Sequence, residues 1–123
     1  MAEAISGVCH CGAVAFVLTA APEALVRCNC SICRRLGALW GHLNIPAVRL
    51  TMAADATRRY IHGDRMLAFH SCATCGCTTH WENLLPDGEH MAVNFNLCEP
   101  QEVARHRIRD FDGAETWTFL DEE

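Results

Sequence analysis

The sequence predicts a mainly β chain. Three observations carry that reading: short apolar runs recur along the whole length, turn residues separate them, and few stretches suit a helix. Residues 12–18 read GAVAFVL, where Val14, Phe16 and Leu18 share one face of a period-two alternation, so a strand is expected there. A second apolar run covers residues 24–27, and a third covers residues 39–45 and stops at Pro46. Between them, residues 31–36 suit one or two helical turns. Strand-length runs follow at residues 49–52, 58–61, 66–71, 78–82 and 90–96. His62-Gly63-Asp64 and Pro86-Asp87-Gly88 punctuate them. Pro100 suits the first turn of a short helix over residues 99–104. Extended character returns at residues 105–109 and 115–119, and residues 121–123 (DEE) are expected to fray.

No Ser-, Pro- or Gly-rich stretch divides the 123 residues, so residues 1–123 are expected to form a single domain. Half of them are hydrophobic and 20% are charged, a balance suited to a packed core. A chain this short gains from a staple, and nine cysteines offer one through either disulfides or metal. The first residues, MAEAISGVC, carry Glu3 and neither a basic start nor a long apolar run, so no secretory signal is expected and the reducing cytoplasm is the expected compartment. Spacing favours metal as well. Cys9 and Cys11, like Cys28 and Cys30, lie one residue apart, where disulfide geometry is hard to satisfy.

Fifteen acidic residues outnumber ten basic ones, all arginine, for a net charge of −5. Such a surface repels phosphate backbones, which argues against nucleic acid as the main partner; the doublets Arg34-Arg35 and Arg58-Arg59 are too isolated to reverse this. No apolar run approaches the ~20 residues of a membrane helix, so no membrane partner is expected.

The cysteines form two sets. Cys9-His10-Cys11 and Cys72-Ala73-Thr74-Cys75 are two short ligand pairs that together supply four sulfurs, the donor set of structural zinc. Gly12 and Gly76 follow the pairs and fit the tight turns that bring backbone amides onto sulfur. Cys28-Asn29-Cys30-Ser31-Ile32-Cys33 packs three sulfurs into six residues with no evident fourth partner, as expected of a catalytic zinc with an exchangeable position. Zinc with three thiolates is formally anionic and a weak activator of water. It is better matched to an incoming thiol, whose pKa of ~8.5 falls on coordination. Transfer of a hydroxymethyl group from an aldehyde to that thiol, or the reverse cleavage, needs little more than the sulfur, a proton shuttle and positioning.

Gly7-x-Cys9-x-Cys11-Gly12, Cys28-x-Cys30-x-x-Cys33-Arg34 and Cys72-x-x-Cys75-Gly76 together resemble the glutathione-dependent formaldehyde-activating enzyme and centromere protein V family. The resemblance spans nearly the whole chain. It implies a β-tent fold of short antiparallel sheets stapled by zinc, with one or two short helices. It also implies two zinc ions per chain: a structural one at Cys9, Cys11, Cys72 and Cys75, and a catalytic one at Cys28, Cys30 and Cys33. The activity implied is a carbon–sulfur lyase of S-hydroxymethyl glutathione synthase type, with glutathione as the small-molecule partner. Two departures stand out: position 29 is Asn where the family often carries His, and Cys77 and Cys98 are additional thiols. Asn29 cannot shuttle a proton near neutrality.

Other residues carry weaker expectations. Arg34 is a candidate clamp for a substrate carboxylate, ahead of Arg35. His70 and His80 are read as hydrogen-bonded structural imidazoles before acid–base groups, and His10 as facing outward. Trp40, Trp81 and Phe95 are read as core before pocket wall. Cys77 is read as a small buried hydrophobe, and Cys98 as the thiol that would close the second site if it folded back to it. The competing functions are a non-catalytic zinc module that binds a protein and, ranked last, a methionine sulfoxide reductase using Cys98.

Overall fold

The computed structural model describes residues 4–61, 63 and 65–120. His62, Asp64 and the tail at residues 121–123, on which two of the expectations above fall, lie outside them. Strands β1 (Ile5–Val8), β2 (Ala15–Leu18) and β3 (Leu25–Cys28) precede helix α1 (Cys33–Leu36). Strands β4 (Trp40–Asn44), β5 (Val48–Thr51), β6 (Thr57–Tyr60), β7 (Leu67–Cys72), β8 (Thr78–Asn83) and β9 (His90–Asn94) follow. Helix α2 (Pro100–Val103), β10 (Ile108–Asp112) and β11 (Thr118–Phe119) complete the described chain.

The strands form a three-stranded sheet, β1-β2-β5, and an eight-stranded sheet, β11-β10-β3-β4-β9-β8-β7-β6. The class is mainly β, as the apolar runs predict. Pairing is antiparallel except between β3 and β10, where Cys28 stands opposite Phe111 in a parallel register. The helices are one turn each, of four residues.

Cross-strand partners share a face of a sheet. One face of the large sheet therefore carries the row His42, Ala92, Trp81 and Phe69, with Trp40 and Val26 paired beside it. The opposite face carries Leu25, Gly41, Val93, His80 and His70 in line. That second face is packed solid: Leu25 and Val93 are fully buried, as is Phe95 against them. Glycine at position 41 is a packing requirement, since a Cβ there would come 2.5 Å from the Phe95 ring. A β-bulge interrupts the β7–β8 ladder between His70 and Ser71, just before Cys72 ends β7.

Several boundaries differ from the sequence reading for local reasons. The run at residues 39–45 ends as strand at Asn44, because Pro46 enters a 3-10 turn over Ile45–Ala47. The run at residues 90–96 ends at Asn94, whose side chain accepts the Asn96 amide and caps another 3-10 turn over Phe95–Leu97. Strand β10 starts later than expected because turn hydrogen bonds from Arg105 to Glu102 and from His106 to Val103 prolong the end of α2. Strand β1 was not foreseen, and Gly7 within it faces the ring of Phe16, leaving no room for a side chain. Among the described residues no helix is long and apolar enough to cross a membrane.

Candidate metal centres and the cavities beside them

Cys9, Cys11, Cys72 and Cys75 bring their Sγ atoms within 4.8 Å of one another. The first two sit on the turn joining β1 to β2, while Cys72 ends β7 and Cys75 lies on the turn to β8, so the set ties the small sheet to the large one. Each turn closes on a glycine in the left-handed region, Gly12 at φ 87° and Gly76 at φ 82°, as their positions after the cysteine pairs predict. Backbone amides are thereby turned onto sulfur: Val14 N–H donates to Cys9 Sγ at 3.3 Å, and Thr74 and Cys75 N–H donate to Cys72 Sγ at 3.4 and 3.5 Å. The backbone amides of Cys77 and Cys11 pull the Cys75 thiol down to about 5, within the range of a ready thiolate ligand. Four soft donors with preset amides fit a thiophilic metal ion.

Cys28, Cys30 and Cys33 form the second set, also within 4.8 Å, and among the described residues no further His, Cys, Asp or Glu joins it. Cys28 ends β3 and Cys33 opens α1, with the turn between them held by Cys30 N–H on Cys28 Sγ at 3.5 Å and Cys33 N–H on Cys30 Sγ at 3.4 Å. The indole Nε1–H of Trp40 donates to Cys33 Sγ at 3.4 Å. Burial pushes the Cys30 thiol up, but the donated amides and neighbouring thiols outweigh it, so the net shift is downward. Burial raises the Cys33 thiol, opposed by the Trp40 donor. These donors suit a sulfur-bound ion as well.

The tail backs this second set. Asn29 donates through Nδ2 to Asp112 Oδ1 at 3.0 Å and accepts the Ala114 amide at 3.0 Å. Asp112 also takes the Glu115 amide at 3.3 Å and the Thr116 amide at 3.2 Å, closing the turn after β10. The Asn29 amide group, then the Thr116 hydroxyl, hold the Asp112 carboxyl below its ordinary range. Asn29 thus fastens the cysteine loop to the tail. Gly113, on this turn, lies so close that a Cβ would sit 2.6 Å from Cys28 Sγ and 3.3 Å from Cys30 Cβ. Gly113→Ala is expected to weaken metal binding at the second set by about tenfold to a hundredfold, the size seen when the surroundings of metal ligands are disturbed. Titration against a chelator checks this, with the four-sulfur set unchanged as the internal control.

Two cavities meet at Cys28 and Cys33. One, of about 610 Å³, runs along the sheet face that carries Trp40, His42, Phe69 and Trp81, and Phe111 and Trp117 close it on the tail side. The other, of about 530 Å³, is lined by Asn29, Arg34, Asn96 and Asp110 among others. Arg34 is exposed on α1, with no carboxylate in ion-pair range among the described residues. Arg35 instead bonds the Ser31 carbonyl at 2.7 Å. Trp40 and Trp81 are buried core residues and cavity walls at once; Phe95 is core only. Sequence reading missed His42, Phe111 and Trp117. His42 falls within the expected run at residues 39–45 and Trp117 within the extended stretch at residues 115–119, but neither is read as a site residue there.

His70 and His80 stand apart from both cavities. Their rings stack at 4.2 Å, with His70 between Thr57 Oγ1 at 2.7 Å and Glu82 Oε1 at 2.9 Å, and His80 on Thr79 Oγ1 at 2.8 Å. They are hydrogen-bonded structural imidazoles. Burial, with the charge of His70, pushes the His80 imidazole from 6.5 down to about 3. Between those two values the unfolded chain binds a proton that the folded chain does not, so stability falls as pH drops through that window. The urea midpoint should therefore fall more steeply between about pH 7.5 and pH 5 for the wild type than for His80→Asn.

His10 is exposed. Cys77 is half-buried on the turn just before β8, and its carbonyl accepts the Cys72 amide at 2.8 Å. Cys98 is buried, is pushed up to about 12 by burial and the nearby Glu102, and is not a member of the second set.

Two sets of cysteines on a mainly β frame, one of them on glycine-closed turns, define a protein that could hold metal ions through sulfur. The chain belongs to the glutathione-dependent formaldehyde-activating enzyme family, whose model matches residues 4–113. A Halomonas elongata protein, provisionally named a glutathione-dependent formaldehyde-activating enzyme, is 32% identical over 79 residues, covering 63% of this chain and 46% of that protein. The match thus spans about half the length of that relative. The crystal structure of a Rhodobacter sphaeroides protein is similar with a TM-score of 0.68 and 29% identity, over 85% of this chain and 99% of that one.

Proposed function

We propose that residues 1–123 form one zinc-binding domain that joins a small thiol to an aldehyde, or cleaves the resulting adduct, as a carbon–sulfur lyase. The observation that carries this reading is the three-sulfur set, Cys28, Cys30 and Cys33, at the junction of two cavities. Glutathione is the thiol that the family's name supports. Zinc held by Cys28, Cys30 and Cys33 would lower the pKa of an incoming thiol and so supply the nucleophile. Zinc at Cys9, Cys11, Cys72 and Cys75 would serve the fold alone.

The reaction balances without any redox partner. The thiol sulfur forms a bond to the carbonyl carbon, the π pair moves to oxygen, and the thiol proton ends on that oxygen. Cleavage reverses each step. Trp40 orients Cys33 through its indole N–H. Arg34, exposed over the smaller cavity, offers two parallel donors to a substrate carboxylate. Asn29 and Asp112 hold the cysteine loop against the tail and are positioning residues rather than proton carriers. The net charge of −5 disfavours a nucleic-acid partner, and the reduced thiols suit the cytoplasm.

The test is spectroscopic. Protein loaded with cobalt(II) in place of zinc should bind two ions per chain, and added glutathione should shift the sulfur-to-metal absorption of one of them. A spectrum unmoved by millimolar glutathione, on fully loaded protein, removes the enzymatic reading and leaves a protein-binding zinc module.

A further inference from the structure

We infer that the carbon half of the substrate is a bulky apolar group, an aryl or medium-chain alkyl aldehyde, seated in the larger cavity. This inference rests on the lyase reading for its chemistry but not for its binding site.

Volume is the first argument. A hydroxymethyl group fills roughly the space of one or two waters, about 30 Å³ each in the liquid, whereas the cavity that ends at Cys28 and Cys33 is about 610 Å³. Chemistry is the second. Six aromatic side chains line it: Trp40, Phe69, Trp81, Phe111, Trp117 and Phe119. Such walls gain from enclosing carbon, and beside them only Glu23, His42, His90 and Arg109 of the lining could meet the charged ends of a peptide-like thiol. The smaller cavity, with Asn29, Arg34 and Asn96, suits those charged ends instead. A thiol adduct laid across Cys28 and Cys33 would place its polar half on one side and its carbon half on the other.

Trp117 is the third argument. It is 71% exposed, and its backbone is in the left-handed region at φ 58°, a costly conformation for a bulky residue. Its amide on the Asp112 carbonyl at 2.7 Å and its ring edge-on to Phe111 at 5.0 Å hold it there. An exposed indole held in a strained conformation at a cavity rim has the placement of a clamp on a ligand. Arg109 packs over Phe119 at 3.7 Å, so its guanidinium extends the aromatic wall.

The covalent step is unchanged: carbon–sulfur bond formation or cleavage, with the proton passing between sulfur and oxygen. Only the substituent on the carbonyl carbon differs.

Binding of two unreactive thioethers, S-benzylglutathione and S-methylglutathione, to the zinc-loaded protein tests the inference by calorimetry. The benzyl compound should bind about tenfold tighter or more, the effect expected of enclosing an aryl ring. Trp117→Ala, at an exposed position, should bring that ratio down to about twofold or less, and circular dichroism confirms that the variant is folded. Equal affinities, a ratio unmoved by Trp117→Ala, or no binding of either compound overturns the inference. Turnover of phenylacetaldehyde and of formaldehyde with glutathione separates the two readings. Neither aldehyde reacting, with the binding ratio intact, sinks the lyase and spares the cavity. Formaldehyde reacting, with no binding preference, sinks the cavity and spares the lyase.

Discussion

Cys30→Ser is expected to lower thiol-dependent kcat/KM by about a thousandfold or more while leaving the fold intact. Cys30 is the cleanest of the three sulfurs to remove, because Cys28 and Cys33 line both cavities and Cys30 lines neither. A serine hydroxyl remains protonated and is a harder donor, so two thiolates would be left to hold a soft ion. The amide of Cys33, which donates to the Cys30 sulfur at 3.4 Å, keeps an oxygen acceptor, so the turn itself should survive. Metal analysis should fall from two ions to one, with an unchanged far-ultraviolet spectrum. Turnover within tenfold of wild type would move the chemistry away from this set.

Cys72→Ser should have the larger effect on stability. Cys72 is 2% exposed and lies 3.5 Å, sulfur to sulfur, from Cys11, which is far away in the chain. Structural zinc contributes about 10–16 kcal/mol in small domains at neutral pH, while whole domains are stable by only about 5–15 kcal/mol. Losing one of four ligands is therefore expected to abolish cooperative unfolding at 25 °C, which a thermal melt reads directly. Cys77→Ser, at a half-buried sulfur outside the cluster, should change stability by less than about 1 kcal/mol. Equal effects from the two variants would show that position 72 matters for packing rather than for a metal.

What could be read in advance follows physical range. The cysteine sets were legible because ligand spacing is local: Cys28, Cys30 and Cys33 reach one another along a single turn, and Gly12 and Gly76 mark the left-handed residues that close the others. The strand with Val14, Phe16 and Leu18 was legible because alternation is local too; Phe16 and Leu18 lie in β2, and all three side chains are buried. Strand β1 was missed because its four residues include Gly7, whose reason is the ring of Phe16 on the neighbouring strand. The aromatic cavity was missed for the same kind of reason. Trp40, Phe69, Trp81 and Phe111 come from four strands, and only the sheet order, with β10 inserted beside β3, assembles them.

The parallel pairing of β3 with β10 also orders events during synthesis on the ribosome. The four-sulfur set is complete once residue 75 has been made. Asp112 and Gly113, which brace the three-sulfur loop, are added later than every member of that set. The growing chain thus completes its four-sulfur set before the brace behind Cys28, Cys30 and Cys33 exists. Those three thiols are made early and would wait unbraced for residues 112 and 113, which leaves them open to a wrong metal or an oxidant in the meantime.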